Sequence, residues 1–272
     1  MTFNDLVKSI RAKKSFLCVG LDPDLDLLPK YLLEKEDPIF EFNKLIIDAT
    51  KDFCIAYKPN LAFYEKLGPN GLISLHKTLQ YIPKDFFIIA DAKRSDIFNS
   101  ANMYAKTFYT YFNFDAVTLS AYMGVDAVSP FLKDNKWAIL LIATSNPSAS
   151  AVQNIKTDSG EPLYIELVNQ MHSWGDHNNI MFVVGATRTK EMAYIRKKAP
   201  DHFFLVPGIG AQGGDIDMVC QSGLNRNCGL LINVSRSIIY AGSGKGFEND
   251  VRVASYNIQQ KMESILNQYQ II

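Results

Sequence analysis

No stretch of this chain is apolar for long enough to cross a bilayer. The longest hydrophobic runs, such as WAILLIA at 137–143, fall well short of the roughly 20 residues a membrane helix requires. The N-terminal MTFNDLVKSIRAKKSF reads as a short amphipathic helix and lacks the apolar core and cleavage site of a secretory signal. Net charge is missing too: 28 Lys and Arg balance 28 Asp and Glu, which gives no general attraction to nucleic acid or anionic membranes. Cysteine is sparse, with Cys18, Cys54, Cys220 and Cys228 scattered outside any CxxC spacing. Cys18 and Cys54 lie inside apolar runs, where a buried, reduced thiol is expected. No Pro/Gly/Ser-rich linker divides the 272 residues. These absences lead to the expectation of a soluble cytoplasmic protein without membrane or nucleic-acid partners, folded as one domain over residues 1–272.

What the chain does have is an eightfold alternation. Short β-branched or aromatic runs begin at Phe16 (FLCVGLD), Cys54 (CIAYKPN), Phe86 (FFIIADAK), Asp115 (DAVTLSA), Trp137 (WAILLIAT), Ile180 (IMFVVGAT), Phe203 (FFLVPGIG) and Leu230 (LLINVSRS). Each is nearly uniformly apolar before a polar or glycine-bearing end, as in strands of a parallel sheet buried on both faces. Helical spacing fills the intervals, for example FNKLIIDATKDF from Phe42 and EPLYIELVNQMHSW from Glu161. Eight βα units in this length predict a (β/α)8 barrel flanked by a short N-terminal helix and a C-terminal helix. A doubly wound open sheet is the structural alternative. The aromatic residues Tyr109, Tyr111 and Phe112 are expected to pack helices against the barrel.

Active sites of such barrels form at the C-terminal rim, so the strand ends carry the functional information. The densest cluster of charge is Asp91-Ala92-Lys93-Arg94-Ser95-Asp96-Ile97, directly after the apolar FFIIA at 86–90. Strand alternation predicts that Asp91 and Lys93 project to the same side while Ala92 points away. Two acids and two bases at the tip of a buried strand cost desolvation unless partnered. Asp22, Lys58, Ser120, Thr144 with Ser145, Thr187 and Arg236 complete the polar rim, whereas none of the four histidines lies at a strand's C-terminal end. A histidine general base and a zinc site are therefore not expected, which leaves lysine and aspartate to do the chemistry.

Two patterns mislead. Gly208-x-Gly210-x-x-Gly213 spells the dinucleotide fingerprint, but six βα units precede it and no acid follows at the required distance, position 233 being Asn. Glycines after the seventh strand and Arg236 after the eighth fit a phosphate site better, so Gln212, Gly213, Gly214 and Arg236 are assigned to a phosphate group. The run beginning at Asp22-Pro23-Asp24 resembles a calcium loop, yet Leu27 and Leu33 occupy the positions that need Gly and Glu.

Six motifs in order, VGLDPD (19–24), YKPN (57–60), DAKRSDI (91–97), TSNP (144–147), PGIGAQGGD (207–215) and VSRSIIYA (234–241), resemble the orotidine 5′-phosphate decarboxylase family, specifically its longer bacterial subgroup with DxKRxDI. The resemblance covers the chain from about Phe16 to Ala241. It implies a homodimeric barrel that converts orotidine 5′-phosphate to UMP and carbon dioxide in pyrimidine biosynthesis, with no metal and no organic cofactor. By resemblance, Asp22 and Lys58 engage ribose hydroxyls, and Lys58 joins Asp91, Lys93 and Asp96 in a charge array around C6. Asp96 and Ile97, with Ser100, are implied to come from the partner subunit. Ser145 is implied to bind the pyrimidine amide edge, and Gln212 and Arg236 with adjacent N–H groups to bind phosphate. The polar segment after Ser145, to about Ser159, is the expected closing loop.

Rival assignments stay open at this point. Asp96 also suits the N-cap of the following helix, Lys58 a buried partner of Asp22 or Asp91, and Ser145 a turn residue. A metal-dependent sugar-phosphate aldolase or epimerase, a Schiff-base aldolase using Lys93 and a non-catalytic nucleotide-binding barrel are the alternative functions.

Overall fold

A computed structural model describes residues 1–210 and 213–272. All eight expected strands form: β1 (Leu17–Leu21), β2 (Ala56–Pro59), β3 (Phe87–Arg94), β4 (Ala116–Leu119), β5 (Trp137–Ala143), β6 (Ile180–Val184), β7 (Phe204–Pro207) and β8 (Leu230–Val234). Each pairs in parallel with its sequence neighbour, and β1 pairs with β8, closing the ring. Closure rules out the open sheet. Most strands are buried along their whole length, because side chains fill the barrel on one face and meet helices on the other.

Local chemistry sets the flanking helices. Helix α1 (Phe3–Lys13) starts with a reciprocal capping box in which Thr2 and Asp5 satisfy each other's backbone N–H groups, and it ends at Lys14 in the left-handed conformation. Its apolar face, Phe3, Leu6, Val7 and Ile10, joins the core. Helix α2 (Pro38–Thr50) has proline at its first turn and Asp37 as cap, its side chain accepting from Phe40 N. Helices α3 (Leu61–Glu65) and α4 (Gly68–Tyr81) follow β2, and α5 (Phe98–Lys106) follows β3. Next come α6 (Val125–Val128), α7 (Ser150–Gln153), α8 (Leu163–Met171), α9 (Thr189–Lys198), α10 (Ile216–Gly223) and α11 (Arg236–Ile239). The long α12 (Phe247–Gln268) runs from the C-terminal rim and packs on α2. No described helix is long and apolar enough to cross a membrane.

Two expectations and one rival assignment need correction. Tyr109 is buried, its hydroxyl donating to Trp137 O at 2.9 Å, but Tyr111 is 68% exposed and stacks on His76 instead of the barrel. The end of β3 does not alternate regularly: its pairing with β4 slips between Ala90 and Arg94, and Lys93 lies in the left-handed region at φ 48°. That conformation costs a non-glycine residue roughly 1–2 kcal/mol, so tertiary contacts must hold it. Asp96 does not cap α5, since the cap position is Ile97 and no side chain caps that helix.

Candidate active site

The C-terminal rim encloses a cavity of about 420 Å³ whose lining includes Asp22, Lys58, Asp91, Lys93, Ser145 and Arg236 from five different strands or the loops behind them. At its floor sits a three-charge array. Lys58, at the end of β2, has a side chain only 4% exposed and donates to Asp91 Oδ2 at 2.7 Å. The other oxygen of Asp91 receives Lys93 Nζ at 2.5 Å, and the Lys93 side chain is 50% exposed to the cavity side of the pair. One carboxylate thus bridges a buried ammonium and an accessible one. Burial pushes the Asp91 carboxyl toward neutrality, but Lys58 and then Lys93 outweigh it and hold Asp91 well below the usual carboxylate range. Burial likewise opposes the charge on Lys58, while Asp91 and Asp22 raise its affinity for the proton above that of an ordinary lysine.

The bulge that carries Lys93 is clamped from two sides. Thr118, buried on β4, accepts from the N–H groups of Ala92 and Lys93 at 3.0 and 2.9 Å. Arg94 donates to Ala92 O at 3.0 Å, ion-pairs with Glu65 at the end of α3, and places its guanidinium over the rings of Tyr104 and Phe108. Ladder bonding to β4 resumes where Ser120 N donates to Arg94 O at 2.9 Å.

On the β1–β2 side, Asp22 Oδ1 accepts from Asn60 N at 3.2 Å, and Tyr64 and Tyr240 pin the backbone around it. Tyr64 donates to Leu21 O at 2.9 Å; Tyr240 accepts from Asp24 N at 2.7 Å and donates to Asp22 O. Asp24 itself pairs with Lys66 away from the cavity, as a solvated loop acid. On the opposite side, Ser145 lies close over Gly185, where a side chain would meet the serine at about 2.9 Å. The segment behind Ser145 is folded back: Thr144 N donates to Gln153 Oε1 at 3.1 Å, and Gln153 returns a hydrogen bond to Thr144 Oγ1 at 2.8 Å. Arg188 reaches Asn154 Oδ1 at 3.1 Å and braces the same segment.

The remaining corner is formed by the β7 and β8 loops. Gly208 and Gly210 have positive φ, as expected of a tight loop that only glycine fits without strain. Gly20 lies so close to Ser235 Oγ that any β-carbon would collide with it, so the β1 and β8 ends must touch here. Asn233, Ser235, Arg236 and Ser237 line this corner, and Arg236 has no ion-pair partner among the described residues. Gly213 and Gly214 do not line the cavity: their N–H groups donate to Gly210 O and Gly208 O at 2.9 and 3.1 Å within the loop. Gln212 lies outside the described residues.

Asp96, Ile97 and Ser100 also fall outside this cavity's lining. Among the described residues Asp96 accepts a local bond from Ile97 N at 2.8 Å, and Ile97 and Phe98 are apolar and largely exposed just beyond the charged strand end. Formal charge in the cavity is two carboxylates, Asp22 and Asp91, against three cations, Lys58, Lys93 and Arg236, an excess of one positive charge that suits an anionic ligand. Among the described residues no group of three or more His, Cys, Asp or Glu is arranged to hold a metal ion.

The family model described as orotidine 5′-phosphate decarboxylase / HUMPS matches residues 15–246. The chain belongs to that family. The orotidine 5′-phosphate decarboxylase of Flavobacterium johnsoniae is 51% identical to it over 98% of this chain and 99% of its own. That of Parabacteroides distasonis is 48% identical over 100% and 99% of the two chains. Among solved structures, Leishmania donovani OMP decarboxylase is similar at a TM-score of 0.85 and 33% identity, covering 97% of this chain and 98% of its own. The cavity brings together Asp22, Lys58, Asp91, Lys93, Thr144, Ser145 and Arg236 of the rim expected from the strand ends, and leaves Ser120 and Thr187 outside its lining. Sequence reasoning missed Asn60, Thr118 and Asn233. Thr118 was detectable as a hydroxyl inside the otherwise apolar run DAVTLSA, facing the same side as Ser120 by strand alternation.

Proposed function

We propose that Lys93, held by Asp91, carries the decarboxylation of orotidine 5′-phosphate to UMP and carbon dioxide that this chain catalyses as a carboxy-lyase of its family. The observation that supports this most is the single buried carboxylate shared by Lys58 and Lys93, which fixes one ammonium and holds a second at the open side of the cavity. Loss of carbon dioxide from C6 leaves an electron pair that the pyrimidine π-system cannot absorb. An ammonium beside C6 stabilises that charge as it develops and then transfers a proton to the carbon. Lys93 becomes a neutral amine and recovers its proton from solvent after UMP leaves.

The rest of the cavity orients the nucleotide. Asp22 and Lys58 receive the ribose hydroxyls, Ser145 the pyrimidine amide edge, and Arg236 with Gln212 and the glycine loop the phosphate. In the described conformation the Gly213 and Gly214 N–H groups are committed inside that loop, so phosphate binding there goes with rearrangement of the loop. Remote phosphate contacts of this kind contribute binding energy that is used at the reacting carbon. The functional unit is a cytoplasmic homodimer in which Asp96, Ile97 and Ser100 complete the partner's cavity. The position of Asp96 beyond its own cavity, next to exposed Ile97 and Phe98, supports this reading. The mechanism calls on no metal or organic cofactor.

Incubating the purified protein with orotidine 5′-phosphate in EDTA tests the reaction. UMP formation at full rate is expected, and a requirement for added divalent metal contradicts the proposal. Mixing Lys93→Ala with Asp96→Ala chains tests the shared site. Recovered turnover is expected, and none despite demonstrated heterodimers contradicts it.

A further inference from the structure

We infer that Thr118 is a positioning residue for the decarboxylation, setting both the backbone and the counter-ion of Lys93 through one hydroxyl. This rests on Lys93 being the proton donor. The slip between β3 and β4 removes Ala92 and Lys93 from the regular ladder, so their N–H groups need other acceptors in a buried setting. Both find Thr118 Oγ1, at 3.0 and 2.9 Å. A hydroxyl oxygen has two lone pairs and one proton. With both lone pairs taken by backbone N–H groups, the proton must be donated outward. Two acceptors are within reach: Asp91 Oδ1 at 3.1 Å and Ala90 O at 3.5 Å. The nearer and negatively charged one is favoured, because hydrogen bonds to ionised acceptors are the stronger class.

Asp91 Oδ1 is also the atom that receives Lys93 Nζ. The same threonine therefore supports Lys93 at both ends, holding its main chain at φ 48° and fixing the carboxylate oxygen that aims its ammonium. Thr118 lines the cavity floor but is fully buried, with its hydroxyl used up by these contacts. It acts through Lys93 and Asp91. The geometry accordingly predicts an effect on the chemical step and little on nucleotide affinity.

The test compares Thr118→Val, Thr118→Ser and Lys93→Ala with wild type, each normalised to the fraction of folded protein. Thr118→Val keeps the shape and removes the hydroxyl; its kcat is expected to fall roughly 10- to 100-fold, the effect of losing one hydrogen bond to a charged group, with KM within about threefold of wild type. Thr118→Ser is expected to restore kcat to within about threefold. Should Thr118→Val fail to fold, Thr118→Cys, of similar size but with a weak donor and acceptor, carries the same expectation. Wild-type kcat in Thr118→Val or Thr118→Cys, or Thr118→Ser as slow as either, overturns the role of Thr118 provided Lys93→Ala is inactive. An active Lys93→Ala overturns instead the assignment of Lys93 on which the inference stands.

Discussion

Each rim of the barrel holds a cation in a network of contacts, and the two are satisfied in opposite ways. At the C-terminal rim Lys58 faces a carboxylate, and the pairing strengthens its hold on the proton against burial. At the N-terminal rim Arg196 makes no ion pair among the described residues. Its guanidinium donates to the carbonyls of Ala199, Pro200, His202, Gly223 and Gly229 and lies 3.7 Å over the Phe204 ring. Burial lowers its pKa to about 9, against the opposing pull of Cys228 and Asp201. Around it His172 and His177 crowd His202, which stacks on Phe182. Carbonyls tie an arginine into the backbone and leave nothing to react, whereas a shared carboxylate holds a second basic side chain, Lys93, half exposed. The same fold thus builds a joint at one end and a reactive site at the other.

The comparison breaks most sharply at Asp91. Asp91→Ala leaves Lys58 buried without a partner, for which about 3–5 kcal/mol of destabilisation is expected, together with loss of turnover. Urea denaturation alongside UMP formation measures both, and an unchanged unfolding midpoint contradicts the pairing as the stabilising contact. Arg196→Met is the matching change at the other rim. It leaves several carbonyls without donors, and about 2–4 kcal/mol is expected to be lost, since each stranded buried acceptor costs about 1–3 kcal/mol and water relieves some of them. Folded Arg196→Met protein should keep wild-type kcat; a large drop in kcat would erase the distinction between the rims.

Acid sharpens the contrast further. Burial, aided by His172 and His177, lowers His202 to about 4 from its ordinary 6.5. A base depressed in the folded state binds fewer protons there than in the unfolded chain, so its stabilising effect is complete above about pH 6.5. It is lost as pH falls toward 4, by up to about 3 kcal/mol. Asp91, depressed below the ordinary carboxylate value, weakens the fold only at still lower pH. His202→Gln should flatten the pH 4–6.5 part of the stability curve; an unaltered slope there would place the acid sensitivity elsewhere.

Much of this was legible in the sequence. Uniformly apolar runs with polar ends announce strands covered on both faces, and their even spacing announces the barrel. The charges of DAKRSDI stand out because they end such a run. The period-two rule, however, cannot register a residue at positive φ, so the bulge that brings Lys93 to Asp91 was invisible. The hydroxyl of Thr118 was visible within an apolar strand, but its partners were hidden, because Ala92 and Lys93 offer backbone groups some 25 positions away, which no side-chain pattern encodes. Arg196 was hidden for the same reason, with Gly223 and Gly229 brought to it only by barrel closure. Tyr111 misled because aromatic character alone does not distinguish a core ring from one stacked at the surface on His76.

The most direct test of the central claim is the turnover of orotidine 5′-phosphate by Lys93→Ala, with its thermal stability measured on the same sample. The Lys58–Asp91 pair survives that change, so the variant should unfold within a few degrees of wild type while its UMP formation falls to background. Substantial turnover by the folded variant would show that the accessible ammonium is not what the rim is built to supply.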